Sequence, residues 1–126
     1  MKLKQALNVP NVGNPSAIVE LAIQAEAAGW DGFFVWDTLQ TDAAQPIDVL
    51  DPTAILSAIA VSTSRIAFGP MVVALPRRRP WKVAKEIITI DHLSRGRVIA
   101  GFGLGAPPKE EFADFGEPTD VRRRIA

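Results

Sequence analysis

The stretch GFGLGAPP at residues 101–108 follows an apolar run and raises a question of chemistry. Gly101, Gly103 and Ala106 match the spacing GxGxxA, in which glycines let a turn approach the pyrophosphate of a dinucleotide at the start of a helix. The alternative is a glycine-rich strand end that admits a ligand or a neighbouring backbone closely. The residues around the turn decide between these interpretations.

The surroundings of this turn disfavour the dinucleotide interpretation. In a dinucleotide fold the pattern follows the first strand, opens a helix directly and precedes an acidic residue about 20 positions further on. Here it follows the fourth apolar run, and Pro107 and Pro108 prevent the turn from running straight into a helix. We therefore expect glycines that permit close backbone approach or tight packing.

PRRRP at residues 76–80 is a dense basic cluster. Arg77, Arg78 and Arg79 precede a predicted helix N-terminus whose dipole also favours anions, so a phosphate or an acidic group of a ligand could dock there. Solvated loop arginines are the other interpretation, and both stay open at this point.

The composition disfavours several classes of function. The chain has 126 residues, 48% of them hydrophobic and 22% charged, which predicts a single soluble globular domain over residues 1–126. Fourteen basic residues balance fourteen acidic ones, so we expect neither a nucleic acid nor a membrane as partner. One histidine, His92, and no cysteine disfavour a zinc site or a Ser-His-Asp triad. No run approaches the roughly 20 apolar residues of a membrane span, and we expect a cytoplasmic protein.

Short apolar runs alternate with helical patterns along the chain. The runs are rich in branched and aromatic residues with little polar alternation, as expected for strands buried on both faces of a parallel sheet. They span residues 5–9, 32–36, 66–75 and 97–103. Between them, apolar residues recur at i, i+3, i+4 and i+7, the stripe of an amphipathic helix. Pro15, Pro52 and Pro80 stand at the predicted first helical positions, where proline sacrifices no hydrogen bond.

Strand starts recur about every 30 residues, the length of one βα unit. The pattern predicts an α/β protein with parallel strands, in which three β-α repeats precede a fourth strand and a further helical segment. Two architectures fit: an open doubly wound sheet, or about half of a closed (β/α) barrel.

Four segments also resemble a known family in their order and spacing. They are AAGWDGFFVWD (27–37), DPTAILSAIAVSTSRIAFG (51–69), PRRRPWKVAKEIITIDHLSRGRVIAGFGLG (76–105) and EEFADFGE (110–117). The chain resembles the bacterial luciferase-like family, which comprises flavin- or F420-dependent oxidoreductases and monooxygenases built on a TIM barrel. The resemblance implies FMN or F420 as cofactor, a small organic substrate, and four βα units from the N-terminal half of the barrel.

The resemblance places the active site at the carboxyl ends of the strands. It implies that Gly103, Leu104 and Gly105 lie beside the flavin ring. It also implies that Met71 and Val72 flank a non-prolyl cis peptide that supports the ring, with a simple buried strand as the alternative.

Three polar residues lie at the same predicted strand ends. Asn8 offers a donor and an acceptor to a flavin edge or a substrate carbonyl, or else opens an Asx-turn. Asp37 could act as a base beside Trp36, or serve as a cap or loop contact. Thr38 stands where F420-dependent relatives often carry histidine, and threonine cannot shuttle a proton near neutral pH. The candidate catalytic residues are therefore Asp37 and Thr38, and Asn8, Arg77, Arg78 and Arg79 join the candidate cofactor contacts.

Four strands cut from a barrel leave two unpaired edges and an open apolar inner face, which both promote association. We therefore expect a homodimer or a larger assembly, ideally two half-barrels that close into eight strands. One hypothesis is an oxidoreductase that is active after assembly. The other is a non-catalytic half-barrel, either a fragment or a binding subunit that complements another chain. The long loop at residues 39–50 is the predicted substrate-selecting segment.

Overall fold

The computed structural model describes residues 3–41 and 47–125. Three parallel strands form one sheet in the order β1-β2-β3, namely β1 (Ala6–Val9), β2 (Gly32–Val35) and β3 (Ala67–Pro70). The three longer helices are α1 (Pro15–Ala27), α2 (Pro52–Ser62) and α3 (Pro80–Ser94). Strands and helices alternate as the sequence predicts, with parallel pairing throughout this sheet. No helix in the described ranges is long and apolar enough to cross a membrane.

The third and fourth predicted strands are both interrupted. β3 ends at Pro70, and the chain resumes as β4 (Val73–Ala74), which pairs in parallel with β5 (Phe102–Gly103). A 3₁₀ turn over Leu75–Arg77 follows β4. The prediction of continuous strands over residues 66–75 and 97–103 is therefore wrong in detail.

Pro70 provides the physical reason for the interruption. Phe68 N–H donates to Arg97 O and Ile99 N–H donates to Phe68 O, and the next donor in this ladder would be the N–H that proline lacks. The carbonyl of Ile99 instead occupies the space beside Gly69, where a Cβ would lie 2.0 Å from the oxygen. Glycine is required at residue 69 by this close approach.

Local signals explain where the helices begin. The three prolines predicted at helix starts do occupy the first turns. Asn14 Oδ1 accepts the N–H of Ser16 at the start of α1, and Asp51 Oδ1 accepts the N–H of Ala54 at the start of α2. Each cap satisfies a donor that the first helical turn leaves unpaired.

The hydrophobic core lies between the helices and one face of the sheet. Phe33, Val35 and Phe68 point into it from the strands, and Leu7 and Val9 of β1 pack against it. The helices contribute Ile18, Ala22, Ala25, Ile55, Leu56, Ile59, Ala60 and Ile90. Because side chains alternate along a strand, Asn8 lies on the opposite face, away from the helices.

The amino-terminal ends of the strands are fastened by Arg97 and Glu26. The Arg97 guanidinium donates to the backbone carbonyls of Ala60, Thr63, Ile66 and Ser94. Burial lowers the pKa of Arg97, and the charge of Glu26 opposes that effect.

Glu26 closes the same end by accepting the backbone N–H groups of Ser64, Arg65 and Ile66. Burial acts to raise the pKa of the Glu26 carboxyl. These backbone hydrogen bonds together lower the pKa by more than burial raises it, so that it lies below its ordinary value.

Candidate active site

Every residue proposed from the sequence as a site residue lies on, or soon after, the carboxyl end of a strand. Asn8 is exposed in β1 and is paired in register with Phe34 of β2. Within residues 3–41 and 47–125, the Asn8 side chain has no hydrogen-bond partner. The structure thus places an available donor and acceptor on the face of the sheet opposite the helices.

The Met71–Val72 peptide bond is cis, as the resemblance implies. The pair packs over the glycine-rich strand end. A Cβ on Gly101 would lie 2.8 Å from Val72 Cγ1 and 3.1 Å from Met71 Sδ, and a Cβ on Gly103 would lie 2.8 Å from Val72 Cγ2. The glycines therefore make room for the bulge, so the expected close packing at this strand end is confirmed.

The chain beyond Gly105 does not open directly into a long helix. Gly105 has a φ of +78°, the Ala106–Pro107 peptide is cis, and α4 (Pro108–Glu111) has four residues. A Cβ on Gly105 would lie 2.9 Å from the Phe112 ring, so the glycine also allows that ring to pack closely. A dinucleotide turn needs a helix that opens on the phosphates, and residues 101–111 do not form one.

Large apolar side chains are exposed at the strand ends. They belong to Trp36 after β2, Val72 after β3 and Leu104 after β5. Sites that bind organic ring systems are lined mostly by apolar and aromatic side chains with a few polar groups, and these three residues would supply part of such a lining.

The arginines of PRRRP do not behave alike. The Arg77 side chain is 7% exposed and forms ion pairs with Asp37 and Glu111, and the Arg78 side chain is 23% exposed and pairs with Asp37 at 2.6 Å. The interpretation of solvated loop arginines is therefore wrong for Arg77. Arg79 is exposed, and its guanidinium lies 5.8 Å from the centre of the Trp81 ring.

Asp37 is buried within this charged cluster, with its side chain 2% exposed. Its Oδ2 accepts the backbone N–H of Ala74 at 3.1 Å, and both carboxylate oxygens accept N–H groups of Arg78. Asp37 could contact a ligand only by giving up these bonds, and the geometry therefore favours the loop contact over the base. Burial acts to lower the pKa of Arg78, but the hydrogen bond and the charge of Asp37, with the charges of Asp51 and Glu86, outweigh burial, so that the pKa is raised.

Thr38 is held through its backbone by a residue that the sequence interpretation missed. Asn11 is fully buried; its Oδ1 accepts the Thr38 N–H, and its Nδ2 donates to the carbonyls of Thr38 and Leu50. Asn11 thereby joins the segment after β1 to both ends of the predicted 39–50 loop, of which residues 42–46 lie outside the described residues. An asparagine in the Pro- and Gly-rich segment NVPNVGN was the available signal.

Glu111 is the second residue that the sequence interpretation missed. Its side chain is 4% exposed, its Oε2 lies 2.7 Å from Arg77 Nη1, and its Oε1 accepts the N–H of Leu39. The signal was the segment EEFADFGE, which carries part of the resemblance but offers no local reason for a buried carboxylate.

Comparisons with known proteins agree with this geometry. A family model described as luciferase-like monooxygenase matches residues 3–126. A putative coenzyme F420-dependent oxidoreductase from Mycobacterium tuberculosis is 35% identical over 107 residues, which covers 85% of this chain and 28% of that protein. The chain thus spans little more than a quarter of this relative.

Two solved structures share the fold. An F420-dependent secondary alcohol dehydrogenase in complex with an F420-acetone adduct superposes with a TM-score of 0.84 at 24% identity, over 98% of this chain and 38% of that one. The oxygenating constituent of 3,6-diketocamphane monooxygenase from Pseudomonas putida, in complex with FMN, gives a TM-score of 0.81 at 21% identity, over 99% and 37%. The predicted fold class is confirmed as a partial (β/α) barrel with parallel strands, and the doubly wound alternative is excluded.

Proposed function

The chain belongs to the luciferase-like monooxygenase family, and from that premise we propose that it forms part of a flavin- or F420-dependent oxidoreductase acting on a small organic substrate. The observation that carries the proposal is the open strand-end surface, where the Met71–Val72 bulge is seated on Gly101 and Gly103 at the same edge as the Asn8 amide. Apolar walls with a few placed polar groups are what a flavin-like ring requires.

The residues at this edge fit such a ring. Val72 packs closely on both glycines and so offers a fixed apolar platform. Asn8 can donate to a ring carbonyl and accept from a ring N–H. Gly103, Leu104 and Gly105 would flank the platform. The bound FMN or F420 would supply the redox chemistry. Thr38 has no titratable group near neutral pH, so it would contact the substrate through its hydroxyl and not transfer a proton.

The choice between FMN and F420 turns on their anionic groups. Both cofactors occur among the similar proteins named above. Among the three arginines of PRRRP, Arg79 is the exposed one, because Arg77 and Arg78 are held by internal carboxylates. We propose Arg79 as the contact for a phosphate or acidic tail, and the binding experiment below compares the two cofactors.

Assembly is part of the proposal. Phe102 and Ile88 are 54% and 56% exposed, and they line an apolar groove of about 320 Å³ between α3 and β5. Unpaired strand edges and exposed apolar patches favour association. We propose that a second copy of the chain covers these surfaces and completes the barrel.

A non-catalytic half-barrel is the second candidate function. The chain spans only 38% of the dehydrogenase chain that it resembles, and a single-chain barrel takes roughly 250 residues. In this case the chain would be a fragment or a binding subunit that complements another chain, and it would retain neither cofactor.

The test is an absorption spectrum recorded across the gel-filtration peak of the purified chain, with FMN or F420 in excess. We expect one cofactor to coelute with protein at the volume of a dimer. A colourless peak with both cofactors would refute the oxidoreductase proposal for this chain and favour the half-barrel. Coelution with a monomer-sized peak would refute the assembly part alone.

A further inference from the structure

Buried polar contacts join the segments that follow β1, β2, β4 and β5 into one network. Asn11, after β1, binds the backbone of Thr38, after β2. Arg77, after β4, binds Asp37, which follows β2, and Glu111, which follows β5. Such cross-loop contacts do not arise from helix or strand hydrogen bonding, so their geometry is set by these side chains.

Arg77 is the centre of this network. Its Nη2 donates to the Asp37 carbonyl and lies 3.2 Å from Asp37 Oδ2, while Nη1 lies 2.7 Å from Glu111 Oε2. The contact with Glu111 is an ion pair that is not aligned as a hydrogen bond, and within the described residues Arg77 Nε has no hydrogen-bond partner. A buried guanidinium with incomplete hydrogen bonding contributes little net stability for its desolvation cost.

Glu111 transmits this anchor to two other elements. Its Oε1 accepts the Leu39 N–H at 3.2 Å, and the neighbouring Phe112 ring is buried against Gly105. α4 is only four residues long, and isolated helices this short are not stable in water. Its position therefore depends on tertiary contacts, namely the Glu111 ion pair, the Phe112 ring and the hydrogen bond that Gln40 Nε2 donates to the Glu110 carbonyl.

The Thr38–Leu39 peptide receives the effect. Thr38 N–H and C=O both bond the Asn11 side chain, and Leu39 N–H bonds Glu111. All three backbone groups are thus held by side chains from other loops. A shift of Glu111 would release the Leu39 N–H and leave Asn11 as the side chain that holds the Thr38–Leu39 peptide, which would loosen the position of Thr38.

We infer that Arg77 and Glu111 are positioning residues, which fix Thr38 and α4 at the rim of the strand-end site without touching a ligand themselves. Neither residue's role follows from the resemblance, and the basic cluster PRRRP had suggested Arg77 as a cofactor contact instead. The inference rests on the proposed function in one respect, that this edge of the sheet is the ligand site.

The first test uses Glu111→Gln in the full chain, which keeps the shape and an acceptor oxygen but leaves Arg77 without its second anion. We expect amide hydrogen exchange at Leu39 and Phe112 to become roughly tenfold faster or more, the loss expected for one charged hydrogen bond, while exchange at Phe68 in β3 is unchanged. Lys82→Ala, which removes an exposed ion pair with Glu86, is the matched control and should change neither. Unchanged exchange at Leu39, or an equal rise at Phe68, would overturn the positioning role.

The second variant, Arg77→Met with Glu111→Leu, removes both charges and leaves the Asp37–Arg78 pair balanced. Apolar replacement of a buried ion pair is often neutral for stability. We therefore expect a wild-type urea midpoint together with fast exchange at Leu39, because the acceptor for its N–H is gone. Slow exchange at Leu39 in this variant would show that Glu111 does not hold the Leu39 N–H, and it would overturn the positioning role.

A third readout separates the positioning role from the proposed function. FMN and F420 are titrated in turn into the wild type and Glu111→Gln. Binding that is at least roughly fivefold weaker in the variant, a cost of about 1 kcal/mol, supports the positioning role, and equal binding overturns it. If the wild type binds neither cofactor, the proposed function fails, and the exchange experiment alone decides whether Arg77 and Glu111 hold Thr38.

Discussion

The two ends of the sheet are both fastened by an arginine, but in different ways. At the amino-terminal ends, Arg97 donates five hydrogen bonds, four to backbone carbonyls and one to Thr63 Oγ1. At the carboxyl ends, Arg77 is compensated by the carboxylates of Asp37 and Glu111, and its Nε lacks a partner among the described residues. The first arrangement satisfies the guanidinium fully and ties the ends of regular secondary structure, whereas the second joins connecting segments through side chains that lie far apart in sequence.

This difference separates the tasks of the two ends. Backbone carbonyls at the ends of α2 and α3 do not change charge or move independently, so the Arg97 contacts act on the stability of the whole fold. The carboxylates around Arg77 lie in separate segments, the loop after β2 and the short helix α4, so their contacts act on local geometry next to the proposed site. Substitutions at the two ends should therefore differ in how far their effects spread.

The largest effect is expected for Arg97→Met. Hydrogen bonds to charged groups contribute roughly 1.5 to 3 kcal/mol each, and because several are lost together without adding fully, we expect about 4 kcal/mol of lost unfolding free energy. Urea unfolding measures this loss, and hydrogen exchange should accelerate throughout the sheet. Arg79→Ala, at an exposed arginine, is the control; equal losses in the two variants would contradict the comparison.

Asn11→Ala should have the next largest effect and should act locally. It leaves the Thr38 and Leu50 backbone groups without their partner, at an expected cost of about 2 kcal/mol. Exchange at Thr38 should rise far more than exchange at Phe68. Asn14→Ala, which removes the cap of α1, should cost about 1 kcal/mol and leave Thr38 protected. In Asn11→Ala, an equal loss of protection at Thr38 and Phe68 would show that Asn11 acts on the whole fold, as Arg97 does at the amino-terminal end.

Glu26→Gln should reveal a dependence on pH at the amino-terminal end. Because the folded-state pKa of Glu26 is lowered, its carboxylate stabilises the fold above the unfolded-state pKa of about 4.3, and this contribution disappears as pH falls through the folded value. The wild type should thus exceed the variant in urea midpoint near neutral pH, and the gap should narrow below about pH 4. A gap that is constant across this range would argue against the charge of Glu26.

Asn8→Ala should have the smallest effect on stability. The side chain is exposed and makes no hydrogen bond within the described residues, so the unfolding free energy should change by less than about 0.5 kcal/mol. Cofactor retention in gel filtration should nevertheless fall, because Asn8 is the proposed contact for the polar edge of the ring. Full retention with either cofactor would remove Asn8 from the proposed site.

Patterns of short range predicted much of the fold. The spacing of apolar residues gave the order of strands and helices, and Pro15, Pro52 and Pro80 marked the helix starts. The position of the Met71–Val72 cis peptide followed from the resemblance. The break after Pro70 was missed because the N–H that proline lacks matters only where residue 70 would donate to a neighbouring strand, and that depends on the pairing with residues 97–101.

The candidate site was predicted in part. Sequence patterns placed its residues at the strand ends, because parallel strands separated by helices direct their carboxyl ends to one edge. They did not distinguish the three arginines of PRRRP, which have the same local sequence context but different surroundings. The sequence interpretation missed Asn11 and Glu111 because neither residue belongs to a periodic pattern.

The sequence by itself determined the parallel α/β order, the starts of the helices and the family. These features depend on residues within a few positions of each other, where periodicity, proline and capping act directly on the backbone. Only the tertiary structure decided that Asp37 and Arg77 are buried partners, that Glu111 bonds Leu39 across 72 positions, and that the glycines accommodate the bulge. The physical reason is that the partner of a charge, or the atom that fills the space beside a glycine, is set by which distant segments the folded chain brings together.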